Sequence, residues 1–166
     1  MSLIVLFGLP GTGKTYVGKV FEKYFNHYFY DGDIDLTPEM KEAIKTKTVF
    51  TDQMRDKFFK ILINKIYHLS STIDHLVVAQ TFIKEKYRLE LLKKIPQAKF
   101  ILVETKKEIR EKRLIERVNY PLNLEYARIM EENFEKPLIS HLKIINDGDG
   151  DESIKKTINK IISVCL

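Results

Sequence analysis

The sequence predicts an α/β fold: a parallel sheet with helices packed on both faces. Three observations carry this. Short apolar runs alternate with longer amphipathic segments along the chain, and strand–helix alternation gives parallel sheets covered on both sides. The first apolar run passes directly into a glycine-rich loop and then a helical pattern. No internal repeat, low-complexity tract or Pro/Gly-rich linker breaks the rhythm. The length of 166 residues then points to one domain, residues 1–166.

In chain order, the expected strands are 3–7, 27–30, 75–79, 100–103 and 142–145. Leu3-Ile4-Val5-Leu6-Phe7 is an unbroken apolar run, as a strand buried on both faces requires. The helical stretches lie near 14–25, 39–47, 52–70, 84–94, 106–118, 123–134 and 151–163. The Ile/Leu/Tyr stripe through 58–69 reads as a core-facing helix side. Asn146-Asp147-Gly148-Asp149-Gly150 is a turn before the last helix. It lacks the spacing of a calcium loop.

The loop between the first strand and helix is Gly8-Leu9-Pro10-Gly11-Thr12-Gly13-Lys14-Thr15, a complete G-x-x-x-x-G-K-[ST] motif. Its glycines let backbone N–H groups turn inward around an anion. The helix that follows offers its N-terminus, where unpaired N–H groups and the macrodipole favour negative charge. Gly8, Pro10, Gly11, Thr12 and Gly13 form the cradle; Lys14 reaches the β- and γ-phosphates, and Thr15 places its hydroxyl on Mg²⁺. The motif implies ATP or GTP as ligand.

Composition narrows the classes. The chain is 44% hydrophobic and 31% charged, ordinary for a globular protein. No apolar run is long enough to span a membrane. The N-terminus leads straight into a strand, leaving no room for a signal peptide. Cys165 is the single cysteine, so no internal disulfide forms, which suits a cytoplasmic setting. The net charge of +5 is scattered among glutamates. That pattern is a solvated helix surface, and it argues against a nucleic-acid partner.

In open α/β sheets ligands sit beyond the carboxyl ends of the strands. Asp31-Gly32-Asp33 occupies such an end, and Gln80-Thr81 another. Two carboxylates one residue apart suit phosphoryl transfer: one holds Mg²⁺, and the other accepts a proton from the attacking hydroxyl. Asp31 is the metal candidate, and either carboxylate fits as base. Arg113 and Arg117, four apart, share a helix face ahead of Asn119-Tyr120-Pro121. They fit a lid closing over the nucleotide. Arg55 and Arg88 read, by position alone, as solvated helix residues. The histidines show no zinc-ligand spacing.

Together these residues resemble the gluconokinases within the wider shikimate-kinase-like group, from Leu3 to about Pro137. Asp31-Gly32-Asp33 is followed by Leu36-Thr37-Pro38, where that family has Leu-His-Pro. Asp52-Gln53-Met54-Arg55, with Phe58 nearby, matches a segment ending in Asp-x-Asp-Arg. The run from Ala79 through Lys84 to Arg88 resembles the family stretch after its third strand. Arg113-Leu114-Ile115-Glu116-Arg117 matches the lid motif, and Glu135-Lys136-Pro137 a Glu-x-Pro beyond it.

The resemblance implies a three-layer α/β/α kinase fold with strand order 2-3-1-4-5. It implies substrate-binding helices near 35–70 and a small lid near 113–126. It implies an ATP:alcohol phosphotransferase acting on a sugar acid, polyol or related metabolite, as monomer or homodimer. Asp33, Arg55, Lys84 and Arg88 would face the substrate, and Arg113 and Arg117 would close on ATP. Departures fall in the acceptor region, where Thr37, Met54, Lys47 and Val49 replace family residues and Glu85 stands where the family has arginine, and in the lid, where Val118-Asn119-Tyr120 replaces Gly-His-Phe. A glutamate in the pocket would favour a neutral or cationic alcohol. Two other readings use the same loop: a polynucleotide or nucleoside 5′-hydroxyl kinase, and a nucleotide-binding module without catalysis.

Overall fold

The computed structural model describes residues 2–116 and 124–165. Five strands lie among them: β1 (Ser2–Phe7), β2 (Tyr28–Asp31), β3 (His75–Ala79), β4 (Lys99–Glu104) and β5 (His141–Ile145). All pair in parallel, in the order β2-β3-β1-β4-β5. This is the expected sheet. Strand β1 sits at its centre, so both its faces must be apolar.

The faces separate by the two-residue period of a strand. Leu3, Val5 and Phe7 point into one core, with Phe58, Leu62 and Ile66. Ile4 and Leu6 point into the other, with Val17, Phe21 and Ile158. The helices that supply these layers are α1 (Lys14–Phe25), α2 (Pro38–Lys45), α3 (Asp52–Thr72), α4 (Glu85–Lys94), α5 (Lys107–Glu116), α6 (Leu124–Glu132) and α7 (Gly150–Cys165). Helices α1 and α7 cover one face, α3 and α4 the other. None of the described helices is long and apolar enough to cross a membrane.

Local chemistry sets the element ends near the site. Thr37 caps α2 by accepting from the Met40 N–H at 3.2 Å, with Pro38 at the first helical position. Thr51 caps α3 in the same way through the Met54 N–H at 3.2 Å. Both caps start the helices that reach from the sheet toward the loop ends.

The structure shifts several expected bounds. Strand β2 runs on to Asp31, so the first carboxylate is the last strand residue, while Asp33 stands on a short 3-10 turn (Gly32–Asp35). The expected helix 106–118 is described as Lys107–Glu116. Arg117, and the part of the expected lid between Glu116 and Leu124, lie outside the described residues.

Candidate active site

Backbone shape comes first. Gly8 has φ +142° and Gly13 φ +84°, a region that side chains disfavour. A Cβ on Gly8 would stand 2.5 Å from the Val103 carbonyl oxygen, and one on Gly13 2.2 Å from the Asn146 amide nitrogen. Only glycine lets the loop turn this tightly against β4 and the β5 end.

The loop is braced from behind. Thr12 is buried and donates to the Leu9 carbonyl at 3.0 Å. Its own carbonyl accepts from Asn146 Nδ2 at 2.9 Å. The Thr105 hydroxyl lies 3.1 Å from the Thr12 carbonyl and 3.0 Å from that of Asn146. Arg113 donates to the Asn146 carbonyl at 3.0 Å, beside Gly13. These bonds hold the loop open before any anion arrives. Lys14 Nζ lies over the loop, 3.0 Å from each of the Gly8 and Leu9 carbonyls.

The acidic pair sits beside it. Thr15 donates its hydroxyl to Asp31 Oδ2 at 3.0 Å, and the Asp33 N–H donates to Asp31 Oδ1 at 3.1 Å. Gln80 Nε2 donates to Asp33 Oδ1 at 2.9 Å, and Gln80 is itself fixed by the Thr81 N–H at 2.6 Å. Burial pushes the Asp31 carboxyl above its ordinary pKa, and the Asp33 charge adds to this. The Asp33 N–H, the Thr15 hydroxyl and Lys14 pull the other way.

The Thr15 hydroxyl and Asp31 carboxylate are adjacent hard oxygen donors, as Mg²⁺ requires. No group of three or more His, Cys, Asp or Glu able to hold a metal occurs among the described residues. Such a sparse set fits Mg²⁺, which keeps waters and takes phosphate oxygens.

One cavity of about 230 Å³ joins these groups. Pro10, Gly11, Gly13, Lys14, Thr15 and Asp31 line one end. Asp33, Gln80, Arg55 and side chains of α2 and α3 line the same cavity. Arg55 is 6% exposed, so the reading of it as a solvated helix residue is corrected.

Two other residues expected to face the substrate lie off the cavity. Lys84 pairs with Asp52 at 2.9 Å and is not among the cavity-lining side chains. Arg88 is fully buried away from the cavity. It donates to the Phe82 carbonyl at 2.9 Å, the Glu135 carbonyl at 2.9 Å and Glu85 Oε2 at 2.6 Å, between the rings of Phe7 and Phe134. Glu85 also accepts from the Leu138 and Ile139 N–H groups, at 3.2 and 2.7 Å. Both charges brace α4 against the 135–139 segment leading into β5. Glu85 therefore gives no reason to expect a cationic or neutral acceptor.

From sequence Gln80 is named only as a polar residue at a strand end, Asn146 only as part of a turn, and Thr105 not at all. Each follows the last residue of a strand (β3, β5 and β4), and that position was the available signal.

The sequence model of the shikimate kinase family matches residues 10–166. The chain belongs to the shikimate kinase family. A probable gluconokinase of Xenopus tropicalis is 33% identical over 90 residues, 54% of this chain and 47% of that protein. The matched stretch thus spans about half of that relative's length. Among solved structures, a sugar kinase of Janibacter sp. HTCC2649 superposes with a TM-score of 0.83 at 17% identity, over 98% of this chain and 95% of that one. A gluconokinase of Sinorhizobium meliloti 1021 does so at 0.80 and 18%, over 99% and 93%. At such identities the superpositions establish the shared fold of this P-loop kinase chain.

Proposed function

We propose that this chain is an ATP-dependent small-molecule kinase that transfers the γ-phosphate to a hydroxyl of its acceptor. The observation that carries this reading is the shared cavity: Lys14, Thr15, Asp31 and Asp33 line one space, with Asp33 held by Gln80 at 2.9 Å.

Loop N–H groups and the α1 N-terminus hold the phosphates. Lys14 leaves the Gly8 and Leu9 carbonyls and swings onto the β- and γ-phosphates. Thr15 and Asp31 would hold Mg²⁺, which would neutralise charge on the phosphate oxygens. Asp33 accepts the proton of the acceptor hydroxyl as that oxygen attacks phosphorus in line. The Gln80 amide keeps that carboxylate turned toward the acceptor. Arg113, anchored on the Asn146 carbonyl next to Gly13, adds positive charge at the nucleotide side. Arg117, as the resemblance implies, would add a second positive charge on the nucleotide.

The test is ADP release from Mg·ATP with sugar acids, polyols, shikimate, nucleosides and a 5′-hydroxyl oligonucleotide, for wild type and Asp33→Asn. Acceptor-stimulated release in wild type, lowered at least 100-fold in the variant, supports the reading. Release with the oligonucleotide alone favours the polynucleotide alternative. ATP binding without release by any acceptor favours the nucleotide-binding module.

A further inference from the structure

Asp33 stands on the short 3-10 turn Gly32–Asp35, and so short a turn has little of its own to hold it still. Its closing bond, from the Leu36 N–H to the Asp33 carbonyl, is long at 3.3 Å. Gly32 has no side chain, and Ile34 is 65% exposed. No apolar side chain of the turn is buried, so polar side chains must fix it. The Asp33 N–H bond to Asp31 Oδ1 holds the near end.

Asp35 holds the far end. Two residues past Asp33 on a helix of three residues per turn, its side chain leaves the turn about 120° away from that of Asp33. Asp33 lines the cavity, and Asp35 does not. Asp35 Oδ2 accepts from the Tyr30 hydroxyl on β2, and Oδ1 accepts from Lys65 Nζ on α3 at 2.8 Å. The first bond closes the chain on itself across residues 31–34. The second ties that closed loop to the long helix. Lys65 also lies over the Tyr30 ring, 5.1 Å from its centre, and neither residue lines the cavity. Burial, and then the Asp35 carboxylate, push the Tyr30 hydroxyl pKa up to about 12, and the same carboxylate raises that of Lys65. Both donors therefore keep their protons at neutral pH. The ammonium offsets the charge of a third carboxylate so near Asp31 and Asp33.

A general base acts only within hydrogen-bond reach of the hydroxyl, and a misplacement of about 1 Å costs about 100-fold in rate. Gln80 turns the Asp33 carboxylate but leaves the backbone beneath it to the turn. Resting on the kinase reading above, we propose that Asp35 is a positioning residue for Asp33: its carboxylate, held between Tyr30 and Lys65, fixes the turn from which Asp33 meets the acceptor hydroxyl. Asp35 itself touches neither acceptor nor nucleotide.

The test pairs anchoring with turnover. Amide hydrogen exchange of residues 32–36, Mg·ADP binding, and ADP release from Mg·ATP with the acceptor panel above are measured for wild type, Asp35→Ala, Asp35→Asn, Tyr30→Phe, Lys65→Met and Asp33→Asn. They are measured also for Asp33→Asn carrying Asp35→Ala. In Asp35→Ala the expected result is faster exchange in the turn, kcat about 10- to 100-fold lower, and a Mg·ADP Kd within about twofold of wild type. In the Asp33→Asn background the same substitution costs no further kcat, because the group it positions is already gone. Asp35→Asn, which keeps an oxygen for one donor, recovers part of the loss. Tyr30→Phe and Lys65→Met each cut one tie and lose less than Asp35→Ala; where Asp35→Ala does not fold, they are read in its place. Unchanged exchange in the turn, or an equal loss of kcat in both backgrounds, overturns the proposal. Faster exchange with no acceptor-stimulated release from wild type upholds the anchor and sinks the kinase reading. Release that is lowered by Asp33→Asn but untouched by Asp35→Ala does the reverse.

Discussion

The two ends of the candidate active-site cavity are built in different ways. The phosphate end is made largely of backbone: a glycine loop, the α1 N-terminus and carbonyls pinned by Asn146 and Thr105. The acceptor end is made of side chains from α2, α3 and α6, which lie far apart in sequence. A backbone cradle is specified by a short contiguous motif and tolerates little change. A side-chain wall can be rewritten one residue at a time while the cradle stays. The departures from the gluconokinase pattern at Thr37, Met54 and Val49 fall in or beside the acceptor helices, as this division requires.

The largest effect should come from the phosphate end. Lys14→Ala should lower kcat about 100- to 10,000-fold, with the melting temperature little changed, because the charge acts on the transferring group. Ile44→Val, a volume change at the acceptor end, should move KM several-fold and leave kcat nearly alone. Steady-state kinetics of the two variants side by side checks the contrast. Equal losses of kcat in both would erase the distinction between the ends.

Next in size is a stability effect at neither end. Arg88→Met leaves the Glu85 carboxylate without its guanidinium partner, and breaking a buried pair costs about 3–5 kcal/mol. Urea unfolding should show that loss, while the KM values of the folded fraction stay near wild type. A changed acceptor KM with unchanged stability would return Arg88 to the pocket. Asn146→Ala should cost less, about 1–2 kcal/mol, since it removes one amide bond to the Thr12 carbonyl. Its signature is a raised KM for ATP, because the loop loses its brace, with acceptor KM unchanged.

The division also explains what was legible in the sequence. The loop, the acidic pair and the five parallel strands were readable because each is local: contiguous glycines, two carboxylates one residue apart, apolar runs. Arg88 and Glu85 were misread because sequence shows two exposed-looking charges three apart on a helix. Only the packing of Phe7, Phe134 and the 135–139 segment around them buries the pair. Arg55 was named through family likeness, yet its burial depends on α3 lying against the cavity. Gln80 and Asn146 follow strand ends, a rule already in use. Their partners, Asp33 and Thr12, lie 47 and 134 residues away, which no local pattern encodes.

The smallest expected effect probes the cost of the phosphate end. Burial and the Asp33 charge raise the folded-state pKa of Asp31 above its ordinary value. The folded protein therefore binds the Asp31 proton more readily than the unfolded chain does. Below the ordinary carboxylate pKa both states are protonated and there is no penalty. As pH rises through the interval between the ordinary and the raised value, the folded state loses stability relative to the unfolded one. At neutral pH the whole penalty is present. Asp31→Asn removes it, so the variant should unfold at higher urea than wild type at pH 7, by about 1 kcal/mol or less because solvent screens a part-exposed group. The difference should shrink as pH falls toward the ordinary carboxylate range, while kcat with Mg·ATP drops at every pH. Parallel stability curves from acid to neutral pH would show that Asp31 carries no such penalty. A carboxylate held against its own solvation preference beside a second carboxylate is what a cation site needs, and this variant measures how much stability the fold gives up to keep it there.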